Sequence, residues 1–271
     1  VGDFARDTVV EGEAGRYRAQ LCEDWRVWGP NGGYVAAIAL RAAGLEARIR
    51  RPVAFAAHFT ASARFEPVEI EVTALQRGRR SESLRVSMQQ QGRVVLEALV
   101  RTAAAGDGLE HDTATAPAVA DPEALPNMET VFAGEPGPPF PFWDNIESRP
   151  PDGLAHKHRS FGGAPETQMW YRFRPAAAFE DPFLDAGRLL VLIDVLPWSA
   201  AWSRYGPTSW NAPNLDLVAW FHRPAADSEW LLGTGEAPLA EQGLIGGTTR
   251  IYDAGRRLLA SGGAQLLCVK A

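Results

Sequence analysis

A chain of 271 residues with 46% apolar content can bury one large core or two of ordinary domain size, which excludes a disordered chain. Its 27 basic and 33 acidic side chains leave a formal charge of −6, so nothing draws it broadly to nucleic acid or anionic lipid, and an anionic ligand would need a local arginine cluster. Cys22 and Cys268 lack metal or redox spacing, no run reaches the ~18 apolar residues of a membrane span, and Val1-Gly2-Asp3-Phe4 lacks the features of a signal peptide, so a cytoplasmic protein is expected.

In chain order, residues 15–22 read as a short strand and residues 33–49 as a helix, with Tyr34, Ile38, Leu45 and Ile49 set among alanines. Residues 68–75, 83–90 and 93–101 alternate apolar and polar side chains, as strands do, with turn residues at Arg77-Gly78 and Gln91-Gly92. Ten of the 20 prolines then fall between Pro117 and Pro165. Each removes a backbone donor and fixes φ, so this tract reads as a linker, part of which packs through Phe140, Phe142 and Trp143.

The second half repeats the first. Residues 167–174 read as a strand, residues 189–202 as a helix that Pro197 should end or kink, and residues 215–222, 230–236, 244–252 and 257–269 as alternating strands. The late hairpins read alike at residues 91–98 and 254–261. The expected organisation is a first unit at residues 1–105, a proline-rich linker at 106–165 and a second unit at 166–271. Each unit would be α+β, one long helix with about five antiparallel strands.

The run Trp28-Gly29-Pro30-Asn31-Gly32-Gly33-Tyr34-Val35, the later His58-Phe59, and Trp220-Phe221-His222-Arg223-Pro224 followed by Glu229-Trp230-Leu231-Leu232 resemble the acyl-CoA thioesterase II family of double hotdog enzymes. The likeness spans both halves and omits mainly the linker. It implies a double hotdog, in which each helix is wrapped by a curved sheet. It also implies hydrolysis of acyl-CoA to free acid and CoA without a cofactor, by an aspartate, a threonine or serine, and a glutamine that position water.

Asp194 stands out from the residues alone, as the only ionisable side chain between Leu189 and Trp198. A carboxylate in such a run must be paired, neutralised or used. The family's aspartate lies just before a proline on the second helix, as Asp194 does. Gln265 is the lone amide of the terminal strand and is able to orient a water; the family's glutamine falls there, with a register shifted by one onto Ala264, counted from Leu259-Ala260-Ser261, as the alternative. Asn214 stands where the family usually carries threonine or serine. Asp216, two residues on, is the alternative carboxylate, expected on the same strand face.

Gly32 and Gly33 open the first helix, where free backbone amides could stabilise an oxyanion or the glycines could simply allow close packing. Arg77, Arg79 and Arg80 form the best phosphate-binding cluster for CoA, against the plainer reading of a solvated turn. His58 and His222 read as structural strand-end residues, and His156 and His158 lack the partners of a metal site. The partners expected are acyl-CoA and, through exposed sheet edges, a second copy or larger homo-oligomer. Two other functions remain open: a non-catalytic acyl-CoA or fatty-acyl binding protein, and a hotdog hydratase or dehydratase, which would require a histidine beside the aspartate.

Overall fold

The computed structural model describes residues 1–135 and 140–271, so the linker stretch Pro136 to Pro139 lies outside the described residues. The first half comprises a one-turn helix α1 (Phe4–Asp7), strands β1 (Glu11–Glu13) and β2 (Arg16–Gln20), helix α2 (Gly32–Glu46), and strands β3 (Pro52–Phe59), β4 (Pro67–Arg77), β5 (Ser81–Gln90) and β6 (Arg93–Ala103). After a short helix α3 (Met128–Val131) come β7 (Ile146–Arg149), β8 (Glu166–Phe173) and the long helix α4 (Pro182–Tyr205). The remainder is β9 (Trp210–Asn211), β10 (Asp216–Phe221), β11 (Leu231–Glu241), β12 (Leu244–Asp253), β13 (Leu258–Leu267) and β14 (Val269–Lys270).

Twelve strands form one antiparallel sheet in the order β1-β2-β4-β5-β6-β3-β10-β13-β12-β11-β8-β7. Read outward from the β3–β10 seam the two sides match strand for strand, which is the double hotdog architecture expected from the repeat. The proline-rich segment contributes more than a connection: β7 pairs with β8 at the sheet edge, and Phe142 is fully buried with its ring 6.0 Å from that of Trp25.

Three elements differ from the sequence expectation. Helix α2 stops at Glu46 rather than residue 49, because the Arg48 and Ile49 N–H groups leave the helix to donate to Glu82 Oε2 at 2.9 Å each. Helix α4 begins at Pro182, where the Asp181 side chain accepts from the Phe183 and Leu184 amides, and it continues through Pro197 to Tyr205. A proline inside a helix removes one hydrogen bond. Burial of nearly every side chain from Phe183 to Leu196 outweighs that loss. Strand β3 was anticipated only at its end, through His58, since its alanines mask the alternation that marks a strand.

The two long helices cross at glycines. A Cβ on Gly33 would lie 2.5 Å from Val191 Cα, and one on Gly187 would lie 3.1 Å from the Ala37 side chain. This close approach brings the amino terminus of α2 against the middle of α4. Among the described residues no helix is long and apolar enough to cross a membrane, and both cysteines are free thiols.

Candidate active site

At the crossing sits Asp194, buried on α4. Its Oδ2 accepts from Asn31 Nδ2 at 2.7 Å and its Oδ1 from Asn214 Nδ2 at 2.7 Å. The Gly33 backbone N–H supplies a third donor. Burial is the largest influence and raises the carboxyl to about 6, while the bonds from Gly33, Asn214 and Asn31 pull the other way. The carboxylate is therefore poised to exchange a proton near neutral pH.

Asn31 escaped the reading of the sequence. It is the N-cap of α2: its Oδ1 accepts from the Tyr34 amide at 2.9 Å, which aims Nδ2 at Asp194. The signal was present as an asparagine between a proline and two glycines, the composition of a helix start. The ring of Tyr34 stacks on Trp25 at 5.3 Å, and its hydroxyl donates to the Asp7 carbonyl, so the end of the helix is firmly anchored.

Asn214 reaches the site through a bulge. Val218 opposes Gly263, yet Asn214 bridges Leu266, so one extra residue is accommodated on the β10 side of the ladder. The Asp216 side chain takes the place of a backbone acceptor there, its Oδ1 receiving the Gln265 N–H at 2.9 Å. The insertion overturns the expectation that Asp216 shares a face with Asn214. Asn214 turns toward α4, while Asp216 stands opposite exposed His58 on the outer side of the sheet.

The same alternation corrects Gln265. Ala264 is buried with Ala200 and Ala201 of α4, and its cross-strand partner Gly247 abuts Pro197. Gln265 projects from the opposite face, opposite Gly246, whose Cβ position faces open space. The helix-facing register thus belongs to Ala264, and the amides around the carboxylate come from two asparagines instead of a glutamine.

The glycine pair serves mainly to admit the acid. A Cβ on Gly32 would lie 2.5 Å from Asp194 Oδ1, and the Gly33 N–H is directed at the carboxylate rather than left for an oxyanion. The Gly32 N–H has no acceptor among the described residues. The arginine cluster lies elsewhere. Arg77 is bonded to the Glu46 carbonyl and to Glu82 at the far end of α2, about 22 Å from Asn31 by the rise of a 15-residue helix, with Arg79 and Arg80 on the turn beyond. His222 is engaged by Ser261 at 2.8 Å, and no histidine bonds Asp194 among the described residues.

A family model for the acyl-CoA thioesterase C-terminal domain matches residues 114–269, and one for the acyl-CoA thioesterase N-terminal domain matches residues 21–103. The chain belongs to the acyl-CoA thioesterase family. Both matched domains carry part of the carboxylate cluster, Asn31 from the first and Asp194 with Asn214 from the second. Among solved structures the chain is similar to acyl-CoA thioesterase II TesB2 from Mycobacterium marinum, with TM-score 0.80 and 23% identity over 99% of both chains. It is also similar to a hot dog fold protein of unknown function from Alicyclobacillus acidocaldarius, with TM-score 0.82 and 21% identity over 99% of this chain and 98% of that one. The dehydratase domain of the polyketide PpsC from Mycobacterium tuberculosis is more distant, with TM-score 0.56 and 12% identity over 97% of both chains. No curated protein sequence matches.

Proposed function

We propose that this thioesterase hydrolyses acyl-CoA with a water activated by Asp194. One observation carries the reading. An ionised carboxyl offers about four acceptor positions; the Asn31 and Asn214 amides occupy two and the Gly33 N–H faces the group as well, which leaves room for a water. That water attacks the thioester carbonyl carbon as Asp194 takes its proton, and the Gly32 N–H at the positive end of α2 stabilises the oxygen that becomes charged. Collapse of the tetrahedral intermediate expels the CoA thiolate, which recovers the proton from Asp194. The products are the free acid and CoA.

The absence of a histidine beside Asp194 among the described residues argues against the dehydratase reading. A binding protein without turnover is the other rival, because Asn214 replaces the hydroxyl that the family resemblance implies. Thiol release from a panel of acyl-CoAs decides among them. The wild type is expected to release thiol, and Asp194→Asn, with an unchanged circular dichroism spectrum, to lose about 10²–10⁴-fold in kcat. Saturable binding of acyl-CoA without thiol release by the wild type would sink the proposal, as would full activity in the variant.

A further inference from the structure

A row of aromatic rings leads away from Asp194. Trp198 and Trp202 lie one and two turns further along the same face of α4. Trp28, three residues before Asn31, meets Trp198 with ring centroids 5.7 Å apart, so the two elements that build the carboxylate cluster also bring these indoles together. The row continues from Trp198 to Trp202 at 6.4 Å and on to Phe161 at 6.2 Å, and at its other end Phe140 packs edge-on against Trp28 at 6.4 Å.

Three of these rings are partly open to solvent: Trp28 is 39% exposed, Trp202 40% and Phe161 52%. Phe161 is held at the end of the row by design of the backbone, since its ring lies where a Cβ on Gly206 would be, and the Gly162 N–H bonds the Arg204 carbonyl at 2.7 Å.

The indole N–H groups sharpen the chemistry. The buried tryptophans Trp25, Trp170 and Trp230 each donate to a protein acceptor, Asp7, the Ala120 carbonyl and Glu123 in turn. Among the described residues Trp28, Trp198 and Trp202 have no such acceptor. Among the described residues Trp198 is not one of those with a buried, unpartnered side-chain polar atom, so its nitrogen keeps some contact with solvent. A plain alkyl chain laid on this row would strip water from donors and offer them nothing in return. A flat ring carrying oxygen would meet the ring faces and edges and supply acceptors as well.

We propose that this row is the acyl-binding surface and that it selects oxygenated aromatic acyl groups, of the hydroxycinnamoyl type, over alkyl chains of similar size. The inference rests on the thioesterase reading. Neighbouring rings meet at 53° to 86° along the row, so both ring faces and ring edges are offered to a bound group.

The test compares kcat/KM for 4-hydroxycinnamoyl-CoA and decanoyl-CoA in the wild type, Trp202→Ala and Trp202→Phe. The wild type is expected to favour the aromatic substrate by about tenfold or more, Trp202→Ala to bring the ratio toward one, and Trp202→Phe to keep part of it. A wild-type preference for decanoyl-CoA overturns the inference while leaving the thioesterase reading intact, and this outcome needs no variant to fold. An equal loss on both substrates in Trp202→Ala also overturns it, because the row would then hold the CoA portion. Turnover of neither substrate, nor of any other acyl-CoA, overturns both readings together.

Discussion

A carboxyl surrounded by three N–H donors would ordinarily ionise more readily than one in water. Asp194 does not, because its removal from solvent outweighs those donors and leaves it near 6. If Asp194 is the base, kcat/KM should rise with pH through an apparent pKa of about 6 and level above it. Asn31 tests the balance. Removing its donor withdraws a bond from the charged form, so Asn31→Ala and Asn31→Ser should both move the acid limb to higher pH. Only the alanine loses the cap, at a cost of about 0.5–2 kcal/mol in a urea titration. A limb that stays in place in both variants would show that Asn31 acts only as a cap.

At the scale of elements, the site depends on how closely α2 can approach α4. A methyl group at Gly33 would meet Val191 Cα at 2.5 Å and the Leu190 carbonyl oxygen at 2.8 Å, atoms of a buried helix backbone that have little freedom to yield. Gly33→Ala should therefore destabilise the fold by about 1–3 kcal/mol, although alanine favours helix, and thermal unfolding would measure it. The same variant should lose activity, since the Gly33 amide and the Asn31 side chain move with the end of α2. The bulge before β10 is the second device of this kind. One inserted residue decides that Asn214, and not Asp216, turns inward. Asp216→Asn should accordingly leave turnover within about twofold of wild type, because its place is at the outer side of the sheet, where it accepts from the Gln265 amide.

At the scale of the whole molecule, the buried acid couples function to stability. Its folded value near 6 lies above the ordinary aspartate value of about 4, so the native state holds this proton more tightly than the unfolded chain. The contribution is present in full below pH 4 and is lost as pH rises through 6. The stability of wild type relative to Asp194→Asn should then fall by up to about 3 kcal/mol between pH 4 and pH 7. Denaturant titrations at the two pH values check both the sign and the size. A difference that grows with pH would mean that the amide donors, rather than burial, dominate the site.

The repeat of one long apolar helix and a set of alternating strands was legible along the chain, because period and turn residues are local properties. So was the isolation of Asp194 in its apolar run. The extent of α4 was less so: a proline marks a helix end in isolation, and only packing against α2 and the sheet carries the helix past Pro197. The partners of the carboxylate were hidden for the same reason. Asn31 lies 163 residues away from Asp194, and its approach depends on a crossing of helices that no local pattern records. Gln265 and Ala264 differ by one place in sequence and by opposite faces in the sheet, which only the pairing of β13 with β12 decides. The amino-acid sequence by itself determined most of the segments that bury and that Asp194 is buried among them. The tertiary structure decided what that acid faces, because side-chain direction at a seam between two units depends on register, bulges and glycine contacts that form only when the units meet.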